Sequence, residues 1–241
     1  MSSELYFPSR SLSTGAVVAG FSTRGGGDDP LALARAAGFS LERLFMVTQV
    51  HGARVVEVGA DDDPSALRAQ AADALVTRAP GVALAVRTAD CVPVLLSSAP
   101  PGPQVVAAVH GGWRGIVAGV IQAAVALTAE IAGAPAATLR AAIGPAIGGC
   151  CFEVDAGVAE TLAAAVGRRE VVVERGAGAE GKPHVDLVRA ARWSLLGAGL
   201  DRDRVEVVGP CTRCAASLLH SYRREGQGRG RQLSFVWMSP G

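Results

Sequence analysis

Hydrophobic positions fall along this chain in short continuous runs, not in one repeating period. Runs of strand type, rich in Val and Leu and bounded by Gly, Pro, Asp or Ser, are "VVEV" (55 to 58), "VALAV" (82 to 86), "VPVLL" (92 to 96), "VVAAV" (105 to 109), "VVV" (171 to 173), "VEVV" (205 to 208) and "LSFVWM" (233 to 238). Between them lie Ala- and Leu-rich stretches that predict helices over Gly115 to Ala132, Val154 to Val166 and Val185 to Leu196. A run such as "VVAAV", with no polar alternation, predicts a strand covered on both faces. Clustered Asp, Pro, Ser and Gly in "DDDPSALRAQ" and "SSAPPGPQ" predict surface loops. The expected fold class is therefore α/β in the mixed α+β sense, with mixed β-sheets layered with helices. No internal repeat and no clean linker interrupts the pattern, so residues 1–241 are expected to form one domain.

Composition narrows the partners. With 49% hydrophobic and 19% charged residues the chain reads as an ordinary soluble globule, long enough to bury a sizeable core. A formal net charge of +1 gives no bulk attraction for a polyanion, so no nucleic acid is expected. The stretch "MSSELYFPSRSLST" lacks a signal-peptide core, and no apolar run reaches membrane-spanning length without Gly, Pro or charge, so no membrane is expected either. Five cysteines are an odd number for a disulfide framework, which fits reduced thiols and a cytoplasmic location. Lys182 is the only lysine among 23 basic residues, so recognition of phosphate or carboxylate falls to arginine forks.

Three short stretches carry the candidate chemistry. His51 in "TQVHG" leads into a strand, Cys91 in "TADCVP" separates two strands, and His110 in "AVHGGWRG" ends one. Strand ends are where sheet proteins gather sites. One thiolate and two imidazoles suit zinc with a fourth position open, and they suit copper too. The same atoms permit a cysteine nucleophile, Cys91, with His110 or His51 as base and Asp90 as orienting carboxylate. A plain structural role, a small buried thiol and two hydrogen-bonded turn histidines, also fits the spacing. A trinuclear copper cluster needs more imidazoles than the four histidines supply. Arg24 in "FSTRGGG" and Arg114 in "HGGWRG" each sit among glycines that permit close backbone approach, as anion binding or a tight turn requires.

Other residues stay open. His184 reads as a capping or surface residue. Cys150, Cys151, Cys211 and Cys214 read as buried reduced thiols, with a second zinc site or a redox pair as alternatives. Arg223, Arg224, Arg229 and Arg231 read as a solvated loop, a pocket lining or a packing element.

"FSTRGGG", "TQVHG", "ADALVT", "VRTADCVPVLL", "AVHGGWRG", "IGPAIGGCCFEV" and "SYRREGQGRG" occur in the order found in the YfiH-like family, once called laccase-like or multicopper polyphenol oxidase and now described as zinc-containing purine nucleoside phosphorylases. The resemblance runs from about Phe21 to Met238. It implies a YfiH-like sandwich with His51, Cys91 and His110 as zinc ligands, copper being possible. It also implies phosphate-dependent cleavage of adenosine, inosine, guanosine and S-methyl-5'-thioadenosine, with adenosine deamination at the same site. Arg24 then belongs to the active site. By the chemistry of the residues themselves, Arg114 with its glycine amides is a further candidate to position phosphate, and Asp90 a candidate to carry a proton, support a ligand histidine or cap a turn. Some bacterial relatives are linked instead to peptidoglycan editing, which keeps a cysteine- or zinc-dependent hydrolase as the alternative. The segment between Arg24 and His51 is shorter than is usual in the family, and Ala191 stands where relatives often carry asparagine.

Overall fold

The computed structural model describes residues 5–27, 29–99, 102–173, 181–227 and 230–240. Numbered in chain order, five strands form one sheet in the order β1 (Tyr6–Pro8), β2 (Val17–Ser22), β13 (Gln232–Met238), β6 (Ala83–Thr88) and β3 (Leu44–Phe45). Only the β3–β6 pair is parallel. A second sheet runs β12 (Val205–Val207), β9 (Arg140–Ile143), β7 (Val92–Ser97), β8 (Val106–Gly111), β5 (Ala74–Thr77) and β4 (Val55–Val58). Its four central strands are antiparallel, and each outer strand joins parallel to its neighbour. A short ribbon pairs β10 (Val172–Val173) with β11 (His184–Val185).

The "VVAAV" run is apolar on both sides because both sides are covered. Val106 and Ala108 meet Phe21, Leu75, Leu95 and Val236 in a core between the two sheets. Ala107 and Val109 meet a second core under the helices α4 (Val120–Ala132), α5 (Ala156–Val166) and α6 (Leu187–Gly197). A third core, with Leu33, Phe39, Phe235 and Trp237, packs α1 (Pro30–Ala37) on the outer face of the five-stranded sheet. The architecture is thus helix, sheet, sheet, helices, a mixed α+β sandwich as expected. Among the described residues no helix is long and apolar enough to cross a membrane.

Several local expectations are corrected. The helix read over Gly115 to Ala132 is two helices, α3 (Trp113–Val117) and α4, because Gly119 takes φ of 87°, left-handed backbone that breaks the helical ladder. The loop read in "DDDPSALRAQ" contains α2 (Pro64–Arg68), started by Pro64 and by Asp63, whose carboxylate accepts from the Ser65 amide at 2.9 Å. Val185 belongs to β11, and α6 begins at Leu187, capped by Asp186 through the Arg189 amide. Within "SSAPPGPQ", residues 100 and 101 lie outside the described residues.

Candidate metal centre

Register decides what shares an edge. Because β8 is antiparallel to both β5 and β7, the end of β8 lies beside the starts of those strands: Val109 pairs with Ala74, and Gly111 with Val92. The start of β4 joins the same edge through Val55 and Ala74, and the end of β9 through Ile143 and Val94. Cys91 just before β7, His110 one residue from the end of β8 and His51 in the loop leading to β4 therefore converge from sequence positions far apart.

The three ligand atoms lie within 4.8 Å of one another. His51 Nε2 is 3.7 Å from Cys91 Sγ, and the two imidazoles meet edge to face at 4.8 Å between centroids. His51 is exposed, Cys91 half-buried and His110 buried, so the group opens to solvent on the His51 side. Beneath it lies a residue the sequence reading passed over. Asp73, fully buried before β5, holds His110 Nδ1 at 2.8 Å. The same carboxylate accepts from the amides of His51 at 2.9 Å, Gly52 at 2.7 Å and Val50 at 3.3 Å. It thus orients one ligand and folds the loop carrying another, leaving His110 Nε2 for ligation. The only hint in sequence was an Asp ahead of "ALVT". Gln49 anchors that loop from the other side, its amide exchanging two 2.8 Å hydrogen bonds with the Arg87 backbone.

Electrostatics follow from this packing. Burial opposes a charged Cys91, but hydrogen bonds and charge from His110 and His51 prevail and hold the thiol down at about 6. Burial likewise disfavours protonated His110, yet Asp73 and Cys91 lift it to about 9. Burial pushes Asp73 up, and His110 with the Gly52 and His51 amides overcomes it, so the carboxyl stays below its usual range. The donor set could hold a metal ion: one sulfur held low by its neighbours, two imidazoles, and a carboxylate behind one of them. Among the described residues with φ above zero, His51 at 60° and Asp90 at 88° are the only ones that are not glycine, and both belong to this edge.

The glycine doublet after His110 has a steric cause. A Cβ on Gly112 would fall inside contact distance of His51 Cδ2 and 3.3 Å from Cys91 Sγ, so the imidazole packs directly on that glycine. A Cβ on Gly111 would lie 2.9 Å from the Val92 carbonyl. Arg114 is exposed, its guanidinium 4.7 Å above the Trp113 ring. Arg24 is ion-paired with Glu225 of α7 (Tyr222–Glu225) and donates to the Leu219 carbonyl at 3.1 Å. Asp90 does not turn to either histidine. Its carboxylate takes the Thr212 hydroxyl at 2.6 Å and the Arg223 amide at 2.7 Å, tying the Cys91 turn to α7. Hence Arg24 and Asp90 meet the same short helix from two sides.

Arg223 and Arg224 are packing elements. Arg223 lies over Phe152 at 5.2 Å, and Arg224 donates at 2.8 Å to the carbonyls of both Thr212 and Arg213. Arg231 stacks on Tyr222, and Arg229 lies outside the described residues. His184 is a half-buried residue of β11, not a helix cap, and its Nδ1 is buried without a partner among the described residues. The expected burial of all four remaining thiols is also corrected, since Cys150 and Cys214 are exposed. The four nevertheless come together.

The chain is 40% identical over 225 residues to a purine nucleoside phosphorylase of Streptomyces coelicolor, covering 88% of this chain and 85% of that one. It is 35% identical over 215 residues to an adenosine deaminase from an unknown prokaryotic organism, covering 87% and 80%. The crystal structure of the hypothetical protein YfiH from Bacillus licheniformis superimposes with a TM-score of 0.82 at 29% identity, covering 92% of this chain and 93% of that one. The profile described as multi-copper polyphenol oxidoreductase laccase matches residues 29–239, and so the chain belongs to that family, the one typified in structure by YfiH.

Proposed function

We propose that this chain is a purine nucleoside phosphorylase that also deaminates adenosine, with zinc in the His51–Cys91–His110 centre. The observation that carries the reading is the buried Asp73–His110 pair beside Cys91 and His51, in a chain 40% identical to a purine nucleoside phosphorylase. His51, Cys91 and His110 would hold the zinc, which would supply Lewis acidity. The chain's own residues do the rest. Asp73 fixes the tautomer of His110 and the fold of the 50–52 loop. Arg24 is the guanidinium assigned to phosphate, already aimed by Glu225 and the Leu219 carbonyl, and Arg114 is a second cation beside the His110 turn. Asp90, whose carboxylate takes the Thr212 hydroxyl and the Arg223 amide, holds the Cys91 turn against α7, and we assign it the proton at that turn. In phosphorolysis a phosphate oxygen bonds to the ribose C1' as the C1'–N9 bond breaks and the base takes a proton. In deamination a water oxygen replaces the exocyclic amine, which leaves as ammonia.

The test is hypoxanthine release from inosine by the purified full chain, with and without phosphate, alongside its zinc content. Phosphate-dependent release that disappears in His110→Ala is expected. Release indifferent to phosphate, or undiminished in that variant, overturns the reading.

A second reading rests on one observation: Cys91, His110 and Asp73 also stand in the order nucleophile, base and orienting carboxylate, with the thiol held down at about 6. A hydrolase of a peptidoglycan precursor built on them cleaves amides without phosphate and keeps its activity after chelation.

A further inference from the structure

Two pairs of cysteines about sixty residues apart form one cluster, and the topology explains why. Strands β9 and β12 are parallel neighbours, Ile143 opposite Val207, so the loops that leave them emerge at the same edge. The Val208 amide reaches the Ile143 carbonyl and the Thr212 amide reaches the Ala146 carbonyl, which brings the turn at 148–151 against the turn at 211–214. There the sulfurs of Cys150, Cys151, Cys211 and Cys214 all lie within 4.8 Å of one another.

We propose that these four cysteines bind one zinc ion as a tetrathiolate, a second metal site separate from the His51–Cys91–His110 centre. The spacing fits: thiolates about 2.3 Å from a tetrahedral zinc are roughly 3.8 Å apart. Here Cys214 Sγ is 3.6 Å from Cys150 Sγ and 3.4 Å from Cys151 Sγ. Two sulfurs almost equally close to a third select no single disulfide partner. Simple core packing does not explain the cluster, because Cys150 and Cys214 are exposed while apolar thiols belong inside. The surrounding backbone is shaped for sulfur. The Gly148 amide donates to Cys211 Sγ at 3.2 Å, and the amides of Arg213 and Cys214 turn to the same atom. At Gly148 a Cβ would press on Cys150 Sγ at 3.3 Å and on the Cys211 Cβ at 3.4 Å, so glycine keeps room for both sulfurs.

The site has a consequence for the first centre. Thr212, inside the Cys211–Cys214 turn, donates to Asp90, and Arg224 of α7 holds the Thr212 and Arg213 carbonyls. Zinc in the cluster pins this turn to the one after β9, and with it the Asp90 carboxylate and the helix that pairs with Arg24.

The test counts zinc per chain by elemental analysis in the wild type, His110→Ala, Cys211→Ser and the double variant. We expect two, one, one and none. Cobalt loaded into His110→Ala should show the intense visible absorption of a tetrathiolate, which a centre with a single sulfur lacks, and this readout keeps all four cysteines intact if Cys211→Ser fails to fold. One zinc in the wild type that survives His110→Ala and vanishes in Cys211→Ser supports this site while sinking zinc at the first. A folded His110→Ala protein that takes up neither zinc nor cobalt, or a disulfide between any two of the four in the purified chain, overturns the proposal.

Discussion

Replacing Asp73 by asparagine isolates the residue that organises the first centre. The shape is kept, but one acceptor oxygen becomes a donor. With the amide oxygen at the Oδ1 position, its NH2 faces the amides of Gly52 and Val50; turned over, it faces the His51 amide and His110 Nδ1. The first orientation leaves two amide donors without an acceptor and the second leaves the His51 amide without one, at about 1–3 kcal/mol each, so Asp73→Asn should cost roughly 1–6 kcal/mol of stability. For a chain of this size that is about 2–4 °C in Tm per kcal/mol. The turned orientation also drives the His110 proton onto Nε2, the nitrogen needed by the metal. Zinc affinity should therefore fall about 10–100-fold, the usual cost of losing a carboxylate behind a ligand histidine. Competition with a chromophoric chelator measures this, carried out in a Cys211→Ser, Cys214→Ser background so that a single centre is read. Zinc affinity within twofold of the parent, together with an unchanged Tm, would refute the claim that Asp73 builds the site.

Two further substitutions test its neighbours. Gly112→Ala keeps an ordinary extended backbone, φ of –68°, but sets a methyl against the His51 ring, which is exposed and free to swing away. Zinc affinity should drop roughly tenfold or more while the unfolding midpoint in urea barely moves; a large loss of stability with zinc retained contradicts the contact. At Glu225 burial pushes the carboxyl up, but hydrogen bonds from Arg224, Arg24 and His220 outweigh it and hold it down to about 2. A carboxyl depressed on folding stabilises above its unfolded value, near 4.3, and loses that contribution as pH falls towards about 2. The stability gap between wild type and Glu225→Gln should therefore close between about pH 4.5 and 2, and a gap that stays constant across that range in urea unfolding rules the assignment out.

What the sequence disclosed and what it hid separate along one physical line. Val-rich runs were legible as strands because burial on both faces leaves a local mark, and β6, β7, β8 and β13 all carry it. Strand β2 is as buried, yet "VVAGFS" holds a glycine and a serine and shows no run long enough to register; β5, "ALVT", offers only Leu75 and Val76 between an alanine and a threonine. The candidate metal ligands were legible because each stands near where a strand begins or ends. Asp73 was not, since its meaning lies across the ladder, opposite the end of β8, and a lone Asp before a short strand looks like a turn residue. The glycines after His110 were read as room for an anion or as a tight turn, and Gly112 also makes room for the ring of His51, whose approach depends on strand register. The four cysteines make the same point most sharply. Nothing in a vicinal pair and a distant CxxC says that they meet, and it is the parallel pairing of β9 with β12 that sends both turns off one edge. If zinc occupies that cluster, the metal centre that acts and the one that holds are set side by side by the ordering of six strands, and Asp90, which touches both turns, is where a loss at the second should first be felt at the first.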